Sequence, residues 1–105
     1  MHSEKLSLFA YEDLISIFRY TENTWGFEQA KKYKTLLEKG RQSILNDPFL
    51  IGSKNRSDLA KDCRSYRVEH HYFMYRLRNE VVEIARVLHE NMDFHLQLRE
   101  GYFPE

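Results

Sequence analysis

The stretch CRSYRVEHHYFMYRLRNEVVEIARVL, residues 63–88, decides the fold. It contains three runs rich in β-branched and aromatic residues, CRSYRVE, YFMYRLR and VVEIARVL, which are separated by HH and NE. Such runs are typical of β-strands, and the polar pairs between them are typical of tight turns. Because strands joined by two-residue turns run antiparallel, the stretch predicts a three-stranded antiparallel meander.

The turns set which side chains share a face of this meander. A turn at residues 79–80 places Arg76 opposite Glu83, which is a favourable charge pair. Because side chains alternate along a strand, one face of the last two strands then carries a largely apolar set. Its predicted members are Phe73, Tyr75, Leu77, Val82, Ile84, Arg86 and Leu88. A first turn at residues 70–71 extends this face onto the first strand of the meander, and we expect helices to cover it.

The N-terminal part of the chain predicts these helices. The sequence EKLSL indicates a first strand that ends near Leu6, with Ser7 placed to cap a helix. Apolar residues at helical spacing continue to TWG, so this helix should run to about Thr24 and stop at Gly26. A second helical stripe follows at once and ends at NDP, residues 46–48. Two long helices with almost no linker form an antiparallel hairpin.

The remaining segments carry weaker patterns. Residues 47–62 show little periodicity and predict a long loop, which is unusual in a compact domain unless the loop has a use. After the meander we expect a short helix or an added strand, with a tail at residues 96–105. The chain is therefore predicted to be one α+β domain over residues 1–105, with a core at about 5–95. In this fold the helix hairpin packs on an antiparallel sheet that the first strand rejoins.

Arg86 interrupts the apolar run EVVEIARVLH, residues 80–89. Alternation puts its guanidinium on the covered face, where a charge without a partner is costly. Asp13 lies beside Leu14 at the edge of the predicted buried stripe of the first helix. We therefore predict a structural ion pair between Asp13 and Arg86. The other interpretation is that Arg86 reaches the opposite rim and serves function.

The opposite face of the meander is also too apolar for a face that meets only solvent. Its predicted members are Ser65, Arg67, Tyr72, Met74, Arg76, Ala85, Val87 and, just past the strand, His89. Both long helices are already used on the other face, so another element must cover this one. The C-terminal tail and a partner chain laid across the sheet both remain open at this stage.

Composition narrows the classes of function. Sixteen Lys and Arg residues balance sixteen Asp and Glu residues, so the chain lacks the basic excess typical of proteins that bind phosphate backbones. The single cysteine, Cys63, excludes an internal disulfide and a cysteine-rich metal site, which fits a reducing cytoplasm. No apolar run reaches the length of about 20 residues that a membrane span needs. We expect a cytoplasmic protein without a metal, a cofactor or a membrane contact.

The histidines offer one catalytic hypothesis. His89 and His95, together with Arg67 and Arg76, are residue types that can activate a ribose hydroxyl and stabilise a phosphorane in metal-free RNA cleavage. The alternative is that these side chains are polar residues at the rim of the sheet.

Taken together, the motifs resemble the ParE branch of the RelE/ParE superfamily of bacterial toxins. The segment KLSLFAYEDLISIFRYTENTWGFEQAKKY, residues 5–33, carries the family's Leu-Ser start, an acidic EDL and a WG between the helices. The segment CRSYRVEHHYFMYRLRNEVVEIARVLHENMDF, residues 63–94, carries RSYRV, an FYR-like third strand and RVLH. Leu8 stands where a proline often opens the first helix, and LIGSKNRSDLAKD, residues 50–62, replaces a loop that is usually richer in Gly and Pro.

The resemblance implies a toxin that inhibits DNA gyrase by binding it and is neutralised by a ParD-like antitoxin, with DNA contacted only through the antitoxin. RelE-like relatives instead cleave mRNA on the ribosome, and chains of this fold can lose toxicity while they keep the fold. A ribonuclease and a non-toxic antitoxin-binding module therefore remain as alternatives. We predict that partner contacts come from the second face, at Arg67, Tyr72, Met74, Arg76, Val87 and His89.

Overall fold

A helix hairpin covers one face of a five-stranded sheet, and the C-terminal segment covers the other. The computed structural model describes residues 1–104. In chain order its elements are β1 (Ser3–Leu6), α1 (Leu8–Trp25), α2 (Phe27–Asn46), β2 (Lys54–Asn55), β3 (Arg64–Val68), β4 (His71–Arg78), β5 (Val81–His89), α3 (Phe94–Gln97) and a 3₁₀ turn (Glu100–Tyr102). The predicted α+β fold is thus confirmed.

The sheet has the strand order β1-β5-β4-β3-β2. Strands β3, β4 and β5 form the predicted antiparallel meander. Strand β1 rejoins the sheet as expected, but it pairs with β5 in parallel, so the sheet is mixed. Strand β2 lies within the predicted loop and pairs antiparallel with β3. A strand of two exposed polar residues offers no alternation that sequence reasoning can detect.

The turns of the meander agree with the prediction at one end and differ at the other. Asn79 and Glu80 form the second turn with φ values of 51° and 64°, and Arg76 lies opposite Glu83. The first turn lies at residues 69–70, because Val68 pairs with His71. This register differs by two residues from the one predicted with a turn at 70–71, so each side chain stays on its predicted face.

A β-bulge in β5 changes the faces of the last strand. Tyr75 pairs with Ile84 and Met74 pairs with Arg86, which leaves Ala85 as an extra residue. Beyond the bulge the alternation is reset, so Arg86 and Leu88 leave the helix-covered face and Val87 joins it. The predicted faces of these three residues are therefore wrong.

The helices have the predicted caps and limits. The Ser7 hydroxyl accepts a hydrogen bond from the Ala10 amide at 2.9 Å and donates one to the Ala85 carbonyl at 2.6 Å, so it starts α1 and ties it to β5. Gly26, with a φ of 93°, separates the two helices. Gly40 lets α2 approach β3 closely, because a Cβ atom there would clash with Val68. The helix-covered core contains Ala10, Leu37, Ile44, Leu45, Phe73, Tyr75, Val82, Ile84 and Val87.

Asp13 and Arg86 form an ion pair at the edge of β5. Arg86 donates from Nε and Nη2 to the two carboxylate oxygens at 2.8 and 2.9 Å, and Val87 donates its amide to Oδ2 at 2.9 Å. The hydrogen bonds to Asp13 raise the pKa of Arg86, which keeps the guanidinium charged. Arg86 also donates Nη1 to the Gln97 carbonyl at 2.9 Å, and its Cζ lies 4.9 Å from the Tyr102 ring centroid. One arginine thus joins α1, β5 and the C-terminal segment.

Replacing Asp13 with alanine should destabilise the domain. The change leaves Nε and Nη2 of Arg86, and the Val87 amide, without an acceptor in a largely buried place, and removing one member of such a pair costs about 3 kcal/mol. Urea unfolding followed by circular dichroism measures this loss. The matched control is Glu12→Ala, since Glu12 is the exposed neighbour on the same helix and should change stability little. Equal stability of the two variants would contradict the role of the pair.

Candidate partner-binding site

The C-terminal segment, residues 94–104, covers the face of the sheet opposite the helices. Its Leu98 and Phe103 pack with Met74, Ala85 and Leu88 in a second buried cluster. Of the two covers that the sequence left open, the chain's own C-terminal segment occupies this face.

Arg76 fixes the C-terminal segment through charge. Its side chain is only 3% exposed, and it donates to Glu83 at 2.7 Å and to Glu100 at 2.6 Å. The guanidinium carbon also lies 4.1 Å from the ring centroid of Phe103. Charge-assisted hydrogen bonds are stronger than those between neutral groups. Arg76 therefore binds the C-terminal segment to the sheet from beneath and has a structural role.

The structure places the six predicted partner residues in three different surroundings. Met74 and Arg76 lie under the C-terminal segment, and Val87 faces the helices because of the bulge, so none of the three can touch a partner in this conformation. Tyr72 is half-buried against Phe94, with ring centroids 5.2 Å apart. Alternation alone could not predict these positions, since the bulge and the cover of the sheet both depend on tertiary packing.

Arg67 and His89 remain accessible at the end of the sheet where β3 turns into β4. Arg67 donates to Glu90 Oε1 at 2.8 Å, and His70 Nδ1 lies 2.7 Å from Glu90 Oε2. The hydrogen bond with His70, and the positive charge of Arg67, lower the pKa of Glu90. Sequence reasoning missed Glu90 as the residue that links these side chains, because it lies past the end of β5 and its spacing gives no signal.

An uncharged pair lies behind this cluster. The Tyr33 hydroxyl lies 2.6 Å from His71 Nδ1, and it accepts the His70 amide at 3.2 Å. Burial, together with the neighbouring His89 and His70, lowers the pKa of His71 to about 4. Burial also raises the pKa of Tyr33, so both side chains are neutral near pH 7 and the phenol donates to the imidazole. Tyr33 lies on α2, where it also packs against the helix-covered core.

A cleft of about 1060 Å³ opens between this end of the sheet and the tip of the helix hairpin. We call it the histidine cleft and define it by its aromatic, apolar and imidazole lining: Tyr20, Trp25, Tyr33, Leu36, His89 and Met92. Trp25 is 68% exposed, which is high for the largest aromatic side chain. Exposed Trp, Tyr and Met side chains around a concave surface are typical of protein-binding sites.

The four residues of the catalytic hypothesis do not form one cluster in the structure. His95, on α3, lies 3.1 Å from Asp58, and Arg76 is buried between two carboxylates. Arg67 is paired with Glu90, and His89 packs against His71. Within residues 1–104, no group of three or more His, Cys, Asp or Glu side chains is arranged to hold a metal ion. No helix in this range is long and apolar enough to cross a membrane.

A family model and two individual relatives indicate the same protein family for this chain. The family model for the ParE toxin of type II toxin–antitoxin system, parDE, matches residues 5–94. Toxin ParE of Escherichia coli is 37% identical over 92 residues, which cover 85% of this chain and 85% of that protein. Toxin ParE1 of Caulobacter vibrioides is 33% identical over 93 residues, which cover 89% of this chain and 94% of that protein.

Solved structures share the fold. A chain of the chromosomal ParDE system from P. aeruginosa has a TM-score of 0.70 at 21% identity, covering 85% of this chain and 96% of that one. A chain of the heterotetrameric YoeB–YefM toxin–antitoxin complex from Staphylococcus aureus has a TM-score of 0.55 at 22% identity, covering 82% and 93%. With a family model that spans most of its length and relatives above 30% identity, this chain belongs to the ParE toxins of type II toxin–antitoxin systems.

Proposed function

We propose that this ParE toxin inhibits DNA gyrase by protein binding, without catalysis, and that a ParD-like antitoxin neutralises it in the cytoplasm. The observation that carries the proposal is that the charged side chains of the candidate catalytic set are already paired with carboxylates. A nuclease needs accessible cations around its substrate, whereas an inhibitor that works by binding needs only an exposed surface that fits its target.

The charges of the candidate catalytic residues support binding over cleavage. Arg67 is paired with Glu90, Arg76 with Glu83 and Glu100, and His95 with Asp58. A net charge of zero also gives little attraction to ribosomal RNA, since affinity for nucleic acid depends on uncompensated Lys and Arg. We therefore propose that DNA meets this protein only through the antitoxin and gyrase.

We propose the histidine cleft as the site of the antitoxin. A flexible segment that orders on binding loses conformational entropy, so it needs a long surface with a few strong anchor points. Trp25, Tyr20 and Leu36 supply apolar anchors, and Lys32 on the same rim favours an acidic segment. Of the sequence-predicted partner residues, His89 lines this cleft and Arg67 lies beside it, so these two are retained as proposed contacts.

The purified chain should inhibit supercoiling of a relaxed plasmid by DNA gyrase and leave mRNA intact in a cell-free translation reaction. Toxin mixed beforehand with its antitoxin is the control and should restore supercoiling. Cut mRNA with normal supercoiling would support the ribonuclease alternative instead. If neither activity is affected, the chain is a non-toxic antitoxin-binding module.

Replacing Trp25 with alanine should weaken antitoxin binding at least about tenfold, because hot-spot aromatic residues carry a large share of binding energy. The matched control is Leu8→Ala at the other end of the same helix, since Leu8 is 67% exposed and Trp25 is 68% exposed. Isothermal titration with the antitoxin measures both affinities. Equal losses, or no loss at Trp25, would exclude the histidine cleft as the antitoxin site.

A further inference from the structure

The loop that follows α2 presents two apolar side chains to solvent. Ile51 is 100% exposed and Phe49 is 61% exposed, within a segment of residues 47–53 that we call the 47–53 loop. A fully exposed isoleucine buries no apolar surface in the isolated domain, so its side chain does not stabilise the fold. Exposed apolar residues grouped on one short segment indicate an interaction surface.

The 47–53 loop is ordered by hydrogen bonds to the core and within itself. The hydroxyl of the fully buried Tyr75 donates to the Pro48 carbonyl at 2.6 Å. The Leu50 amide donates to the Asp47 carbonyl at 3.0 Å, and the Ser53 amide donates to the Leu50 carbonyl at 3.0 Å. These bonds close two successive turns, and Ile51 lies at the corner of the second.

Two further features order the backbone of the loop and the Phe49 ring. Gly52 adopts a φ of +96°, which glycine accepts at the third position of a turn, and its open side faces the Tyr66 ring. The guanidinium carbon of Arg64 lies 4.9 Å from the ring centroid of Phe49, and Arg64 also donates to the Ser53 hydroxyl at 2.8 Å. The loop therefore loses little conformational entropy when a partner binds, which favours affinity.

The charges beside the loop indicate what kind of partner it fits. Among residues 1–104, neither Arg64 nor the exposed Lys54 forms a salt bridge. Asp47 is an adjacent carboxylate, and its Oδ1 accepts the Phe49 amide at 3.0 Å, so two positive side chains and one negative side chain lie beside the loop. An apolar tip with this positive excess at its border is complementary to an apolar pocket with acidic side chains at its rim.

The loop and the histidine cleft lie at opposite ends of α2. The cleft starts at Trp25, just before this helix, and follows its first half as far as Leu36, whereas the loop begins where the helix ends at Asn46. A helix of 20 residues is about 30 Å long. A preformed tip suits a folded partner with a pocket, and a long cleft suits a flexible segment, so the two surfaces fit two different proteins.

We infer that the 47–53 loop is the surface through which the toxin contacts its target, with Ile51 and Phe49 seated in an acidic-rimmed apolar pocket of gyrase. The inference rests on the proposed function and adds to it the contacting surface and the chemistry of the pocket. Lys54 and Arg64 lie at the rim of the contact and orient the two proteins. Antitoxin binding is separate from this contact.

The test compares Ile51→Ser with Leu96→Ser, because Leu96 is an exposed leucine, 65% accessible, on α3. Each variant is titrated into a supercoiling reaction with purified gyrase and, separately, into its antitoxin. Ile51→Ser should raise the half-inhibitory concentration at least about tenfold, as expected for a hot-spot residue. Leu96→Ser should inhibit like wild type, and both variants should bind antitoxin with wild-type affinity. Lys54→Glu should also weaken inhibition, since it reverses the charge at the rim.

Three results would overturn the inference. If the wild-type chain does not inhibit gyrase, the proposed function fails and the inference fails with it. If the wild type inhibits and Ile51→Ser inhibits equally well, only the inference fails. If Ile51→Ser has no effect while Lys54→Glu abolishes retention of naked plasmid in a filter-binding assay, the surface contacts nucleic acid and not an apolar pocket of a protein.

Discussion

The carboxylate of Asp13 links three parts of the fold, α1, the edge of β5 and, through Arg86, the C-terminal segment. Strand β1 ends at Leu6, opposite Ile84, so the rest of β5 has no strand on that side. Asp13 accepts the Val87 amide on this open edge and the Arg86 guanidinium beside it. Arg86 in turn binds the Gln97 carbonyl. A side chain of α1 thus takes the place of a sheet neighbour, and an unpaired strand edge is closed without another strand.

The same arrangement decides which face of the sheet is open. Arg86 and Arg76 bind the C-terminal segment, whose Leu98 and Phe103 are buried on the apolar face opposite the helices. The histidine cleft and the 47–53 loop lie outside this cover and remain open. We propose that the first binds a flexible antitoxin and the second a folded target.

Local patterns predicted the parts of the fold that depend on neighbours in sequence, including the Ser7 cap, the Gly26 break, the turn at 79–80 and the three strands of the meander. The approach of Asp13 to Arg86 followed from the cost of an unpaired buried charge. The bulge at Ala85 was not predictable, because nothing in VVEIARVL breaks the alternation until β4 imposes its register. Alternation without the bulge places Val87 on the face opposite the helices, and a sheet without the packed C-terminal segment leaves Met74 and Arg76 exposed. The histidine cleft needs α1, α2 and the β3–β4 turn together, so its lining was visible only in the structure.

Amide hydrogen exchange in the wild type and in Asp13→Ala tests the central role of this carboxylate most directly. The informative amides are those of Val87, which donates to Asp13, and Leu98, which donates to the Phe94 carbonyl at the base of the C-terminal segment. An amide inside α2, such as that of Leu37, reports global unfolding. We predict that Val87 and Leu98 lose more protection than Leu37, because the strand edge and the C-terminal segment open locally. If all three amides lose protection equally, or if Val87 and Leu98 keep theirs, Asp13 does not join these parts of the fold.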